Sequence, residues 1–365
     1  LSDLPFVTPF REPKAARNLV AKISDLAAKI DDVTFMEVCG THTMSIYRHG
    51  IRRLLPSNVR MLSGPGCPVC VTPNAYLDRA VALARKPGFT ITTFGDMVRV
   101  PGSTSSLQQE RSRGADVRVV YSTLDALDMA RSEPDRQFVF LGVGFETTSP
   151  TVAAAVLAAS RQGVSNFSVL SGAKLIPPAL DVLVKDDRLR LQGLLCPGHV
   201  SVVLGTAPYE PLARDHGIPC VVTGFEALDV LQGVLMLLEQ RVAGHSTVEI
   251  AYRRAVVAEG NPVARGLIEE VFESVDTGWR GIGVLPGSGL RLRERFRPHD
   301  ADRFEVEVET TREHPGCACG DILRGIKTPF DCLLFGKVCT PEDPQGACMV
   351  SSEGTCAAAF RYGRE

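Results

Sequence analysis

An α/β fold with mostly parallel, doubly wound sheets is predicted by two features of the chain. Short β-rich runs alternate with amphipathic helical stretches between about residues 32 and 240, the pattern of strand–helix–strand units. The ends of several of these runs carry Gly, Pro, Cys and His in short loops, where open α/β sheets place their sites. At 365 residues the chain is long enough for two or three domains.

Residues 1–31 read as a helix. The stretch PKAARNLVAKISDLAAKI sets apolar residues at helical spacing with Lys and Arg between them. Residues 32–131 form a first α/β unit: VTFMEV, VRMLS, FTITTF and VRVVY are strands, and THTMSIYRHGIRRLL, TPNAYLDRAVALARK and STLDALDMARS are the helices between them. The loop GDMVRVPGS contributes Asp96 and Arg99, read mainly as solvated surface. A second unit spans 132–240. QFVFLGVGFETTSP is a buried strand running into a polar loop, followed by the helix TVAAAVLAASRQG, the strand FSVLSG, the helix PPALDVLVKD, LQGLLCPGHVS, the strand PCVVTGFE and the helix ALDVLQGVLMLLEQRVAG.

Two echoes link these units. VGFETT at 143–148 matches TGFEAL at 223–228, and Cys39-x-x-His42 matches Cys196-x-x-His199. They suggest two related lobes facing one another. From Ser246, STVEIAYRRAVVAEGNPVARGLIEEVFESVDT reads as two helices broken at Gly260-Asn261-Pro262. The stretch WRGIGVLPGSGLRLRERFRPHDADRF, with the single Trp, reads as a linker packed on the core.

Composition excludes several classes. The net charge of −2 and a pI near 6.4 give no electrostatic case for nucleic acid. No apolar run is long enough for a membrane helix, and the charged first thirty residues exclude a secretory h-region. A cytoplasmic protein is expected. Neither a Walker-type loop nor a G-x-G-x-x-G after a strand is present.

The chemistry lies in the cysteines, eleven in all. Cys39 and His42 stand as C-x-x-H after VTFMEV. Thiolate and imidazole are both good ligands for iron or zinc, so the pair suits one shared metal; a buried thiol beside a capping Thr is the plainer alternative. Cys67 and Cys70 stand as C-P-V-C inside GPGCPVC. Such a dithiol closes a small disulfide ring or forms half of a zinc site. Glu146, Thr147, Thr148 and His199 lie in loops able to reach a shared cleft, although a Thr pair before a helix is also a common cap. Cys196 and Cys220, in apolar strands, read as structural. The tail holds Cys317, Cys319, Cys332, Cys339, Cys348 and Cys356 among many Gly and Pro. Four converging thiolates suit either a four-iron cluster or a structural zinc, and spacing alone does not choose between them.

Taken together, MEVCGTHT, SGPGCPVCVTP, GFETT, CPGHVS and the cysteine-rich tail resemble the HypD family of [NiFe]-hydrogenase maturation factors, over about residues 5–363. The resemblance implies two related α/β domains facing a cleft and a mainly helical third domain, here 1–31 with 241–365, carrying a [4Fe-4S] cluster. The family pattern C-x14-C-x6-C-x16-C falls on Cys317, Cys332, Cys339 and Cys356. Cys319 with Cys348, and Cys67 with Cys70, then match redox-active pairs. Cys39 matches the ligand of an iron that becomes an Fe(CN)2CO unit, with His42 close by. HypC is the implied partner in holding that iron, HypE the donor of cyanide supplied through HypF, and a hydrogenase large-subunit precursor the recipient. Glu146, Thr147, Thr148 and His199 are expected to bind the diatomic ligands or steer the cargo. Two other readings stand beside this one: an iron–sulfur thiol–disulfide oxidoreductase, and a zinc-stabilised interaction module.

Overall fold

The computed structural model describes residues 8–363. Its core is two parallel sheets. The chain first builds β1 (Val33–Glu37) and β2 (Val59–Ser63), which pair in parallel from Val33↔Val59 to Glu37↔Ser63. It then leaves to make a complete second sheet from β3 (Phe89–Thr93), β4 (Asp116–Val119), β5 (Gln137–Gly142) and β6 (Phe167–Ser171). Finally it returns to add β7 (Gly193–Pro197), β8 (Cys220–Thr223) and β9 (Val248–Ile250) to the first. The strand orders are β2-β1-β7-β8-β9 and β4-β3-β5-β6. The α/β expectation therefore holds.

The division expected between residues 131 and 132 does not follow the sheets. It falls between β4 and β5, both members of the second sheet, while the first sheet draws on residues 33–63 and 193–250. The reason is burial. β1 is almost wholly buried, so its backbone needs a strand on each side, and β7, with every residue buried, supplies the second neighbour. The VGFE and TGFE echo marks equivalent places, the ends of β5 and β8, one in each sheet. The C-x-x-H echo lies within the first sheet, on the adjacent strands β1 and β7.

Each sheet has its own apolar packing. Phe35, Leu195, Val221 and Leu237 pack on one face of the first sheet, with helix Pro13–Ala27 laid along helix Ala227–Ala243. Phe138, Phe140 and Phe167, none of them accessible, fill the second. A shared core containing Val38, Cys70, Phe145, Tyr209, Trp279 and the tail residues Cys319 and Cys348 lies between them.

After residue 245 the expected helices are largely replaced. The first is the edge strand β9, and only the second, Pro262–Val271, is helical. The expected linker is an antiparallel hairpin of β10 (Phe272–Trp279) and β11 (Gly283–Leu292), with a register shift between Val275 and Thr277. Its tip wedges between two functional segments. The Arg280 N–H donates to Val71 O at 2.8 Å and Arg280 Nε to Thr72 O at 3.0 Å, beside the C-P-V-C loop. Gly281, at φ 71°, lies against Gly320 so closely that a Cβ would overlap it. No helix among the described residues is long and apolar enough to cross a membrane.

Candidate thiol and metal site

Cys39 sits just past the C-terminal end of β1 as the N-cap of helix Gly40–Arg48. It is buried. Burial, and after it the charge of Glu353, pushes its thiol up to about 12, while the amides of His42 and Thr41 at the helix start act the other way. The apoprotein thus keeps this thiol neutral at pH 7, and binding a cation there releases its proton. Beneath it lies Glu37, wholly buried, which accepts the Cys39 N–H at 3.1 Å and the Thr43 hydroxyl at 2.6 Å.

One turn on, His42 is inaccessible, and burial lowers it to about 4, so the ring is neutral. Its Nε2 faces two carbonyls, Gly224 O at 2.9 Å and Thr223 O at 3.3 Å. Carbonyls only accept, so Nε2 carries the proton and Nδ1 keeps a lone pair. That Nδ1 is buried without a hydrogen-bond partner. A neutral imidazole with a free nitrogen near a thiol is the state a metal ligand requires. The other histidine of the echo completes the face. The rings of His42 and His199 lie 4.8 Å and 3.9 Å from Phe225, and His199 is partly exposed. Glu353 comes from the tail: its carboxylate accepts the Thr41 hydroxyl at 2.6 Å, and its Cβ lies where a side chain on Gly40 would project.

The dithiol loop is packed against this site. Gly40 N–H donates to Gly66 O at 2.8 Å, and a Cβ on Gly66 would overlap the backbone N, Cα and carbonyl carbon of Cys39. Gly66→Ala is therefore expected to cost about 3 kcal/mol in unfolding free energy, because backbone rather than a side-chain end must yield; a denaturant midpoint unchanged from wild type would refute this. Cys67 caps the short helix Pro68–Val71, its Sγ accepting the Cys70 N–H at 3.3 Å. From there a line of sulfurs runs into the tail. Cys70 is in contact with Cys348, whose Sγ lies 2.9 Å from Cys319 Sγ and which also meets Cys356.

All six tail cysteines line one closely packed pocket. Cys339 Sγ accepts the Gln345 N–H at 3.4 Å, and the Gln345 and Gly346 amides favour its thiolate against the burial that raises it. Any side chain on Gly346 would press on Cys317 Sγ, with its Cβ at 2.7 Å. Six sulfurs converging on one pocket, with Cys339 steadied by backbone amides, are the donor chemistry an iron–sulfur cluster uses. No group of three His, Cys, Asp or Glu among the described residues is arranged to hold a single metal ion.

The GFETT residues are placed differently. Glu146 is wholly buried at the end of β5, where its Oε1 accepts the Ile176 N–H at 2.9 Å at the start of helix Ile176–Val184 and its Oε2 has no partner. Burial raises it to about 7. Thr147 is exposed, and Thr148 precedes helix Ser149–Gln162 without a side-chain capping bond. Cys196 and Cys220, both inaccessible, meet on neighbouring strands. Asp96 and Arg99 occupy the short helix Gly95–Arg99, and Arg99 Nη2 donates to Val350 O at 3.2 Å in the tail. Sequence reasoning assigned no role to Glu37, Phe225, Arg280 or Glu353, although Glu37 lies in MEVCGTHT, Phe225 in the TGFEAL echo and Glu353 in SSEGTC between two tail cysteines.

A buried Cys39 and His42 past the end of a parallel strand, a C-P-V-C loop packed against them, and a tail pocket lined by six cysteines mark this two-sheet α/β protein. The HypD family model, described as "Hydrogenase formation hypA family", matches residues 14–363. The hydrogenase maturation factor HypD of Rhizobium leguminosarum bv. viciae is 47% identical over 99% of this chain and 96% of its own. Those of Rhodobacter capsulatus and Cupriavidus necator are 46% and 44% identical, each over 99% of this chain and 98% of their own. The chain belongs to the HypD family of hydrogenase maturation factors.

Proposed function

We propose that this chain, together with a HypC partner, holds the iron on which the Fe(CN)2CO unit of a [NiFe]-hydrogenase is assembled, and passes that unit to the large-subunit precursor. The iron is cargo. Cys39 binds it as thiolate beside a thiolate of HypC, with His42 Nδ1 as the adjacent nitrogen donor. The observation that carries the reading is this free, buried Nδ1 one helical turn from the buried Cys39, with the C-P-V-C loop packed against the same backbone. Soft thiolates suit a low-spin ferrous centre bearing cyanide and carbonyl.

Cyanide arrives from HypE, loaded through HypF, as a thiocyanate-like adduct on sulfur. Its release is a two-electron reduction. The Cys67 and Cys70 thiols give two electrons and two protons as their disulfide forms, the S–CN bond breaks, and the donor's thiolate and cyanide leave. Cys348, in contact with Cys70, attacks the Cys67–Cys70 disulfide, Cys319 then resolves the mixed disulfide, and the Cys67 and Cys70 thiols are restored with their two protons as the Cys319–Cys348 disulfide forms. The tail donor set fits a [4Fe-4S] cluster held by Cys317, Cys332, Cys339 and Cys356, which when bound supplies low-potential electrons. His199, partly exposed beside the Cys39 helix, makes a minor contribution to steering the cargo.

The test is anaerobic purification, metal analysis and infrared spectroscopy of the complex with HypC. About four cluster irons per chain in a brown protein, with CO and CN stretches in the complex, are expected. A colourless protein holding one zinc would overturn the electron-relay part of the reading. A brown protein whose HypC complex never shows those stretches would overturn the scaffold part.

A further inference from the structure

A polar cavity of about 700 Å³ opens behind the hairpin tip, and its wall includes Arg280, Arg312, Ser103, Cys317 and Cys319. That size is ordinary for a small-molecule site. It adjoins the inner cysteine cavity, with Cys317 and Cys319 lining both, whereas Cys348 lines the inner one alone. Of the close Cys319–Cys348 pair, one residue therefore faces a route from solvent and the other does not.

The cavity also carries an unsatisfied cation. Arg280 is only 5% exposed. Its Nε is held by Thr72 O and its Nη1 lies 3.8 Å from the well-exposed Glu313, but its buried Nη2 has no partner. A buried guanidinium short of an acceptor favours an anionic ligand beside it. Arg312 stands on the exposed part of the same wall. Because Cys319 is itself only 6% exposed, a folded protein's thiol is too bulky to reach it, while a small molecule in the cavity is not.

We propose that this cavity is a port through which a small anionic thiol or disulfide exchanges with the Cys319–Cys348 pair, with Cys319 the sulfur that reacts. In the oxidising direction Cys319, as thiolate, attacks an external disulfide RSSR, giving the mixed disulfide Cys319–S–S–R and RS⁻. The Cys348 thiol then attacks the Cys319 sulfur, the Cys319–Cys348 bond forms, and the second RS⁻ leaves. Two electrons pass from the pair to RSSR, and the pair's two protons end on two RSH. The reverse sequence reduces the pair with two RSH. This inference rests on the reading of Cys319 and Cys348 as a redox pair.

The test uses the full-length holoprotein, purified and reduced anaerobically. It is exposed to an anionic probe, 5,5′-dithiobis(2-nitrobenzoate), and a neutral one, hydroxyethyl disulfide, and the products are mapped by peptide mass spectrometry. Wild type is expected to form the Cys319–Cys348 disulfide, and Cys348→Ser to accumulate the adduct on Cys319. Arg280→Gln should slow the anionic probe about tenfold and leave the neutral probe within about twofold. Should Arg280→Gln fail to fold, Arg312→Gln on the exposed wall should slow the anionic probe selectively by about threefold. An adduct forming first on another cysteine, or equal rates with both probes in wild type and variant, overturns the port while leaving the redox pair intact. Absence of any Cys319–Cys348 disulfide in wild type overturns the pair itself.

Discussion

Cys39→Ala is expected to leave a folded protein that no longer retains cargo iron and no longer supports hydrogenase maturation. The loss should be complete rather than partial. Cys39 supplies the thiol beside His42, and the carboxylates that touch its helix are already engaged. Glu37 is committed beneath the site to the Cys39 N–H and the Thr43 hydroxyl, and Glu353 to Thr41. The structural cost should be small, within about 2 kcal/mol, because one sulfur is removed and the glycine contacts that set the loop remain. His199→Ala should keep most activity, since this ring is partly exposed and its ring contact is a stack on Phe225. The measurements are hydrogenase activity in cells whose own copy of this gene is deleted, and CO and CN infrared bands of the purified complex. Bands persisting in Cys39→Ala would place the iron elsewhere, and loss of activity in His199→Ala equal to that of Cys39→Ala would show that the thiol does not act alone.

The layout of this site was legible in the sequence to the extent that local chemistry specifies it. C-x-x-H and C-P-V-C each sit at the end of an apolar strand, so their exposure to one loop region follows from α/β geometry. Which strands share a sheet was not legible. β1 and β7 are both nearly fully buried runs, and nothing local in VTFME or GLLCP says that they are neighbours across more than 150 intervening residues. That long-range pairing is what brings His199 beside His42. The β10–β11 hairpin escaped notice because Gly283, Pro286, Gly287 and Gly289 interrupt the alternation a strand normally shows. Arg280 was invisible for a related reason: its importance comes from the hairpin tip meeting Val71, Thr72 and Gly320, contacts that only the tertiary fold creates. Glu146 was expected to reach a shared cleft, but its loop carries it into the core beside helix Ile176–Val184.

That burial gives Glu146 and His42 opposite influences on stability, which makes the pH profile the sharper test of their placement. Burial raises Glu146 from 4.5 to about 7. A carboxyl with a raised folded value contributes its stability below its unfolded value and loses it as pH climbs through the folded one, so this contribution disappears between pH 4.5 and 7. Burial lowers His42 from 6.5 to about 4. Its contribution is full above pH 6.5 and is lost as pH falls toward 4. Each is about 3 kcal/mol at full extent. In the reduced apoprotein the two slopes nearly cancel over the interval they share, leaving wild type flat there with respect to this pair. Glu146→Gln keeps an oxygen to accept the Ile176 N–H but cannot ionise, so it removes only the falling limb. Relative to wild type, its unfolding free energy should rise by up to about 3 kcal/mol between pH 5 and 8. Denaturant unfolding at pH 5, 6, 7 and 8 reads this directly. Curves for variant and wild type that run parallel across that range would mean that Glu146 ionises as freely in the folded protein as in the unfolded chain, and that the carboxyl is reached by water.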